Sequence, residues 1–273
     1  MIHPSACISP SAQLAPDVSV GPFAVLEDGV VIGPGCRIEA HGQVLRGVTM
    51  GQGNVVGRGA VIGGDPQALS FNVATESGVK IGDGNTFREH VTVHRSAQPG
   101  GVTVIGNGNF LMAAAHVGHD SLLGNHNVLA NAVLIAGHIV IGNRCFLGGE
   151  AAVHQFVRIG DYAMVQGCGG YTRDIPPYCT VFRWNNLRGL NTVGLRRAGF
   201  DSAARLALKK AWKAVFCAGV PPVPSAATML ESAEGAGFSA EVRRFLEFIA
   251  ATGARGIAVC RRGSVTSGDP TKE

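Results

Sequence analysis

Residues 105–140 read IGNGNF LMAAAH VGHDSL LGNHNV LANAVL IAGHIV, six hexads that each begin on an aliphatic residue. The same step continues through Ile141, Leu147, Val153, Ile159 and Val165, eleven positions in all. A second run of eleven starts at Ile2 and passes through Ile8, Leu14, Val20, Leu26, Ile32, Ile38, Val44, Met50, Val56 and Ile62. At the overall hydrophobic fraction of 46%, eleven successive hits arise by chance roughly once in five thousand for a given start. The residue four places on is often small, as at Ala24, Cys36, Ala60, Ala115, Ser121 and Ala151.

A large residue at i and a small one at i+4 give one short strand and one turn per hexad. Three such strands close a triangular coil of 18 residues, and coils stacked about 4.8 Å apart pair their backbones. Roughly eight or nine coils make a prism on the order of 40 Å long. Glycine often follows the aliphatic residue, as at Gly33, Gly51, Gly82, Gly106, Gly124 and Gly142. It is expected to relieve tight corners where φ is positive.

Between Ile62 and Ile81 the phase slips by one residue, which predicts an insertion loop near 63–80. Ser96 to Gly101 interrupts the pattern without changing phase, so a second loop is expected near 95–104. The repeat fades after Val165. A mainly β prism is therefore assigned to residues 1–190 and a C-terminal α-helical domain to 191–261, with 262–273 read as a disordered tail. The helices are placed from Asp201 or Ser202 through Ala218, from Ser225 to Glu234, and from Ser239 through Ala250. An apolar stripe on the first is formed by Leu206, Lys210, Trp212, Val215 and Phe216, and Gly219 with Pro221-Pro222 ends it.

Composition bounds the function. Glycine supplies 39 of 273 residues and charged residues only 15%, but the apolar content excludes disorder for most of the chain. No uninterrupted apolar run approaches membrane-spanning length, so no integral membrane segment is expected. The net charge of +4 suits an acidic partner or phosphorylated substrate. No basic run points to nucleic acid. The first residues lack the pattern of a secretory signal, giving a cytoplasmic expectation. Seven scattered cysteines without a CxxC read as reduced thiols, with no metal ligand among them.

If i and i+4 point inward, then His116, His119, His138 and His154 all face outward. Adding 18 to His119 gives Gly137 and then Gln155, and adding 18 to Asp120 gives His138. His119, Asp120, Gly137, His138, His154 and Gln155 should therefore share one small patch. Imidazole beside carboxylate suits general acid–base catalysis, with Gly137 N–H as an oxyanion donor. A metal site and a solvated polar face remain as other readings.

The block from Leu111 to Asp120, with Ala136-Gly137-His138, Ala152-Val153-His154-Gln155-Phe156, Asp174-Ile175-Pro176-Pro177-Tyr178 and Gly194-Leu195-Arg196-Arg197, resembles the acyl-carrier-protein-dependent UDP-N-acetylglucosamine O-acyltransferases of lipid A synthesis. The resemblance spans nearly the whole chain. It implies a left-handed parallel β-helix and a homotrimer with active sites between subunits. Acyl carrier protein and a UDP-sugar would be its partners, with no cofactor beyond the acyl carrier as co-substrate.

Carried over, His119 is the base toward the sugar 3-hydroxyl, Asp120 orients it and Gly137 holds the oxyanion. His116, His138, His154 and Gln155 line the sugar and acyl site, Asn191 and Arg197 face the nucleotide, and Gly167 leaves room for the tail of a 3-hydroxyacyl chain. The chain departs from the family at Ala68 and Ser70, where a carboxylate and an ammonium are usual, and at Val193 and Ala198. These departures leave room for a different or amino UDP-sugar, or for an inactive paralogue. A coenzyme A-dependent hexapeptide acyltransferase and a zinc hydratase of the gamma-carbonic-anhydrase type are the remaining alternatives.

Overall fold

Among the described residues, three sheets of nine, eight and ten strands form the prism; consecutive strands fall on successive sheets as far as Gly170–Tyr171, and the last two, Cys179–Phe182 and Asn186–Leu190, pair antiparallel at the edge of the ten-stranded sheet. The computed structural model describes residues 1–232, 235 and 237–260. The fold is the left-handed parallel β-helix. Most strands are two residues long, because only the residue at i and the one before it lie flat between corners.

The register follows the sequence period. Phe110 pairs with Val128, Val128 with Phe146 and Phe146 with Met164, each 18 residues on. The step lengthens only where loops leave the body, so that Val61 pairs with Thr92 and Thr92 with His116. The first loop runs over 65–77, between strands Val61–Gly64 and Gly78–Ile81. The second is shorter than expected, because strand Val102–Ile105 pairs along its whole length with Gly78–Ile81 and takes up residues assigned to the loop.

Aliphatic residues at i fill the interior, as the period requires. Leu111, Val117, Leu123 and Leu129 are buried, together with the small i+4 residues Ala115 and Ser121. In one column the i+4 residue is asparagine. Asn109 Nδ2 donates to Asn85 Oδ1 at 2.9 Å, Asn85 Nδ2 donates to Asn54 Oδ1 at 2.9 Å, and Asn127 N donates to Asn109 Oδ1 at 2.8 Å. This ladder satisfies buried polar groups coil by coil, which an interior amide must do to avoid a cost of several kcal/mol, on the order of 2–7.

The glycines that follow the aliphatic residues do a different job from the one expected. Many left-handed corners carry other residues, including His41, His90, Ala114, Ala132 and Glu150, all with φ near +60°. Gly124 sits instead where the next coil passes closest: a Cβ there would lie 2.5 Å from Gly142 O. Small size, rather than backbone freedom, is what this column needs.

The C-terminal segment comprises α1 (Thr192–Arg197), α2 (Ser202–Phe216), α3 (Pro222–Glu231) and α4 (Ala240–Ala250). α1 had no sequence expectation. Asp201 and Ser239 cap α2 and α4 through their side chains. α3 starts at Pro222, three residues before the expected Ser225, because proline is well placed in a first helical turn that needs no N–H. Its expected end at Glu234 and the tail 262–273 lie outside the described residues. On α2 the expected Val215, Trp212 and Phe216 do pack into the helical cluster, but Leu206 and Lys210 are exposed and Leu208 and Ala211 take their place on the buried face.

The helices share one apolar cluster with Tyr178, Cys179 and Leu187 from the end of the prism. Arg244 on α4 reaches Asp161 at 2.8 Å. Beyond α4 the chain returns to the prism, where Ile257 bridges to Asp174 and Val259 to Asn186.

Replacing Gly124 with alanine forces Gly142 and its coil to shift and should cost about 1–3 kcal/mol, the usual range for an overpacked core. Equilibrium urea unfolding measures it; an unchanged midpoint would show that the coils are not held at this spacing.

Candidate active site

Asp120, His138 and Phe156 occupy one corner of three successive coils, each in the left-handed region with φ of 60°, 60° and 66°. Such a conformation is uncommon for a non-glycine residue and is held by the coils above and below. His138 N donates to His119 O at 2.9 Å, and Phe156 N to Gly137 O at 3.3 Å. The 18-residue step thus places Gly137 directly beside His119.

His119 Nδ1 and Asp120 Oδ2 are 2.7 Å apart. With the carboxylate as acceptor, Nδ1 carries the proton and the Nε2 lone pair is free. That nitrogen lies over Gly137: a Cβ at Gly137 would be 2.7 Å from His119 Nε2. The Gly137 N–H donates to no atom among the described residues.

Asp120 is held from behind by the second loop. The Ser96 hydroxyl donates to Oδ1 and Ala97 N–H to Oδ2 at 3.2 Å, while Asp120 N–H donates to Thr103 Oγ1 at 2.9 Å. Burial alone would raise this carboxyl. The hydrogen bonds from Ser96, His119 and Ala97, with the charge of His138, outweigh it and hold Asp120 below the ordinary carboxylate range.

A groove of about 550 Å³ opens in front of His119, lined by His116, Gly137, His154 and Gln155 among others. Gln67 enters it from the first loop, beside the departures at Ala68 and Ser70. His116 Nδ1 is 2.8 Å from Thr92 Oγ1, and its pKa is lowered by burial and by His119.

Three expected site residues stand elsewhere in the single chain, and one is turned away. His138 does not line the groove; it packs edge-on against His119 with centroids 5.0 Å apart and stacks on Phe156 at 4.7 Å. Asn191 caps α1, accepting from Gly194 N at 3.1 Å and donating to Tyr162 O at 3.0 Å, so one acceptor and one donor of its carboxamide are already used. Arg197 is exposed in the last turn of α1. Gly167 lies against Gly149, whose O would be 2.5 Å from a Cβ, so coil stacking by itself requires glycine there.

His94 is a groove residue that the column arithmetic misses. The second loop lengthens the step at this coil, so adding 18 to His94 does not reach its neighbour. The usable signal was the interruption at Ser96 itself. His94 meets His116 edge-on at 4.7 Å, and its buried Nδ1 has no hydrogen-bond partner among the described residues. Burial, then repulsion from His116 and His119, pulls its pKa down to about 4 against the attraction of Asp65.

Ligand atoms of His119, Asp120 and His138 fall within 4.8 Å of one another, a spacing that a cation also uses. Here, however, His119 and Asp120 turn those atoms on each other at hydrogen-bond distance. The arrangement is that of an oriented base facing a groove.

His94 has a folded pKa of about 4 against 6.5 for the ordinary group. The unfolded state therefore takes up the proton first, and stability is lost as pH falls from about 6.5 toward 4. Asp120, with its lowered pKa, acts in the same direction at still lower pH. His94→Gln should flatten the acid limb of a stability-against-pH curve between pH 6.5 and 4, measured by thermal denaturation; an unaltered limb would show that His94 is not held neutral.

Known proteins share this sequence and shape. Residues 174–258 match the family described as UDP-N-acetylglucosamine O-acyltransferase, domain 2. The chain is similar to an acyl-acyl-carrier-protein UDP-N-acetylglucosamine O-acyltransferase of Xanthomonas euvesicatoria, 44% identical over 256 residues, covering 92% of this chain and 95% of that one. A relative of the same description from Stenotrophomonas maltophilia is 39% identical over 91% of this chain and 94% of its own. The solved UDP-N-acetylglucosamine acyltransferase of Francisella novicida superposes with a TM-score of 0.89 at 30% identity, covering 100% of this chain and 99% of that one. That of Campylobacter jejuni superposes at 0.88 and 35%, covering 96% and 100%.

Proposed function

The chain belongs to the acyl-carrier-protein-dependent UDP-N-acetylglucosamine O-acyltransferases, and from that premise we propose that His119 is the general base of acyl transfer to the sugar 3-hydroxyl in lipid A synthesis. The observation that carries the assignment is the His119 Nδ1 contact with Asp120 at 2.7 Å, which leaves Nε2 over Gly137 at the mouth of the groove.

Nε2 takes the hydroxyl proton as the sugar oxygen attacks the thioester carbonyl of the acyl carrier. The Gly137 N–H, which has no other acceptor among the described residues, faces the oxygen that becomes negative. Asp120 stabilises the imidazolium formed in this step. Collapse of the tetrahedral intermediate breaks the carbon–sulfur bond, and the imidazolium returns its proton to the departing sulfur. No cofactor enters this scheme; the acyl carrier brings the acyl group as co-substrate.

His116, His154 and Gln155 are assigned to the sugar and acyl walls of the groove, with Gln67 above them. His138 steadies the ring of His119. Asn191 and Arg197 would serve the nucleotide only from a neighbouring subunit, and Gly167 would bound a 3-hydroxyacyl tail. A homotrimer is supported by the faces beside the catalytic corner, which expose Leu122, Leu134 and Val140. Exposed apolar residues on both sheets that flank the corner suit faces covered by neighbouring subunits. No described helix is long and apolar enough to cross a membrane, in keeping with action in the cytoplasm.

Of the arginines that could meet an acidic carrier near the end of the prism, Arg144, Arg173, Arg183 and Arg188 are exposed and Arg158 is half-buried. Arg158 is bound to Asp174 at 2.8 Å and lies over Phe248, and Arg188 lies over Phe182. On α2, Arg205, Lys209 and Lys213 surround a groove floored by Leu190, Leu195 and Trp212, and the helix has no acidic residue. We assign carrier docking to that face.

His119→Ala should lower kcat by about 10²- to 10⁴-fold, the contribution typical of a positioned base, in an assay of 3-hydroxyacyl carrier proteins of several lengths against UDP-N-acetylglucosamine and its 3-amino analogue. Retained turnover in that variant would remove His119 from the chemistry, and preference for the amine would replace the ester product by an amide. Charge reversal at Lys209 and Lys213 should raise KM for the carrier about tenfold and leave KM for the sugar nucleotide unchanged; equal effects on both would move docking elsewhere.

A further inference from the structure

Arg95 is the largest fully buried side chain among the described residues, and the acid–base mechanism does not use it. Its Nε donates to Asp65 Oδ1 at 2.8 Å, Nη2 to Val73 O at 3.0 Å, and Nη1 to Ser77 Oγ at 3.1 Å and to Thr75 O. The guanidinium also lies 4.9 Å from the ring centroid of Phe71. All five partners belong to the first loop, residues 65–77, which carries Gln67 into the groove.

The backbone around Arg95 points to the second loop and the catalytic carboxylate. Arg95 N donates to Gly64 O at 2.9 Å, and the next two residues, Ser96 and Ala97, are the donors that hold Asp120. The Ser77 hydroxyl, itself an acceptor from Arg95, donates to Ser96 O at 2.5 Å. Gly100 N donates to Glu76 O at 2.8 Å and Gly78 N to Gly101 O at 3.0 Å, so the two loops are stitched together.

We infer that Arg95 is a positioning residue that makes the acceptor loop 65–77 and the His119–Asp120 pair one mechanical unit. A fork of donors gathers four residues of the first loop, and its own backbone continues within two residues to the donors of Asp120. An extended loop with no strand of its own would otherwise sample many positions over the groove, and the sugar hydroxyl would meet the base in few of them. The coupling also accounts for an acceptor loop that has alanine and serine at positions 68 and 70: its placement comes from beneath, through Arg95, rather than from charged contacts to the sugar. This inference rests on the proposed function for the identity of the acceptor.

The test compares Arg95→Met, Arg95→Lys, Asp65→Asn and Ser96→Ala in the full chain. Arg95→Met should raise KM for UDP-N-acetylglucosamine about tenfold or more and lower kcat about tenfold, as loss of charge-assisted hydrogen bonds does, with KM for the acyl carrier within about twofold. Asp65→Asn should raise the sugar KM alone, Ser96→Ala should lower kcat alone, and Arg95→Lys should recover part of both. Hydrogen exchange followed by mass spectrometry supplies a readout that needs no turnover. In Arg95→Met, residues 66–77 and 96–101 should both exchange faster while the coils over 111–165 keep their protection.

Faster exchange in one loop only, equal loosening of the coils, or unchanged kcat and sugar KM in Arg95→Met would overturn the inference. If the unmodified protein acylates no UDP-N-acetylglucosamine, the proposed function fails, and the exchange pattern still decides whether Arg95 joins the two loops.

Discussion

Every coil of the prism must lie one strand spacing above the last, and this backbone stacking sets the terms for the rest of the molecule. Two strand residues per hexad are enough to pair because the same hydrogen bonds recur 18 residues on, as from Phe110 through Val128 to Phe146. The interior then has to repeat as well. Aliphatic residues stack on aliphatic residues, and an amide is tolerated inside only because the neighbouring coil offers another amide, from Asn54 through Asn85 and Asn109 to Asn127. Glycine at 124 and 142 follows from the same closeness, since the backbones approach too near for a Cβ.

Stacking also creates the candidate site. Outward residues separated by 18 in sequence are neighbours in space, so His119, Gly137 and the Asp120–His138–Phe156 corner come together without any long-range folding event. The corner conformation matters for the proposed chemistry. A left-handed φ at Asp120 brings its carboxylate back toward the preceding histidine. Strain of this kind costs about 1–3 kcal/mol per residue and is borne by a scaffold whose remaining coils are regular.

The two loops and the helical segment are where the repeat gives way, and each serves the groove differently. Loop 95–101 supplies the donors that lower the Asp120 pKa, loop 65–77 brings Gln67 over the opening, and Arg95 binds one to the other. The helices close the open end of the prism with an apolar cluster of their own, which shields Tyr178 and Leu187 from solvent. A parallel coil would otherwise end in unpaired backbone and exposed core.

The sequence by itself determined the period, the direction in which side chains point, the two places where loops leave the body and the grouping of His119, Asp120, Gly137 and Gln155. All of these follow from a constant step, because a constant step fixes spatial neighbours as firmly as it fixes the core. Family likeness in the His119 and His154 blocks added the chemistry. Where the step is broken, counting failed: His94 lies beyond a lengthened coil, and Arg95 acts through partners 18 to 30 residues away that belong to no hexad. The helical segment has no period linking it to the prism, so the burial of Leu208 and Ala211 in place of Leu206 and Lys210 on α2, and the capping role of Asn191, came only from packing. Tertiary structure alone decided these features, because irregular segments take their positions from hydrogen bonds and burial rather than from a repeating register.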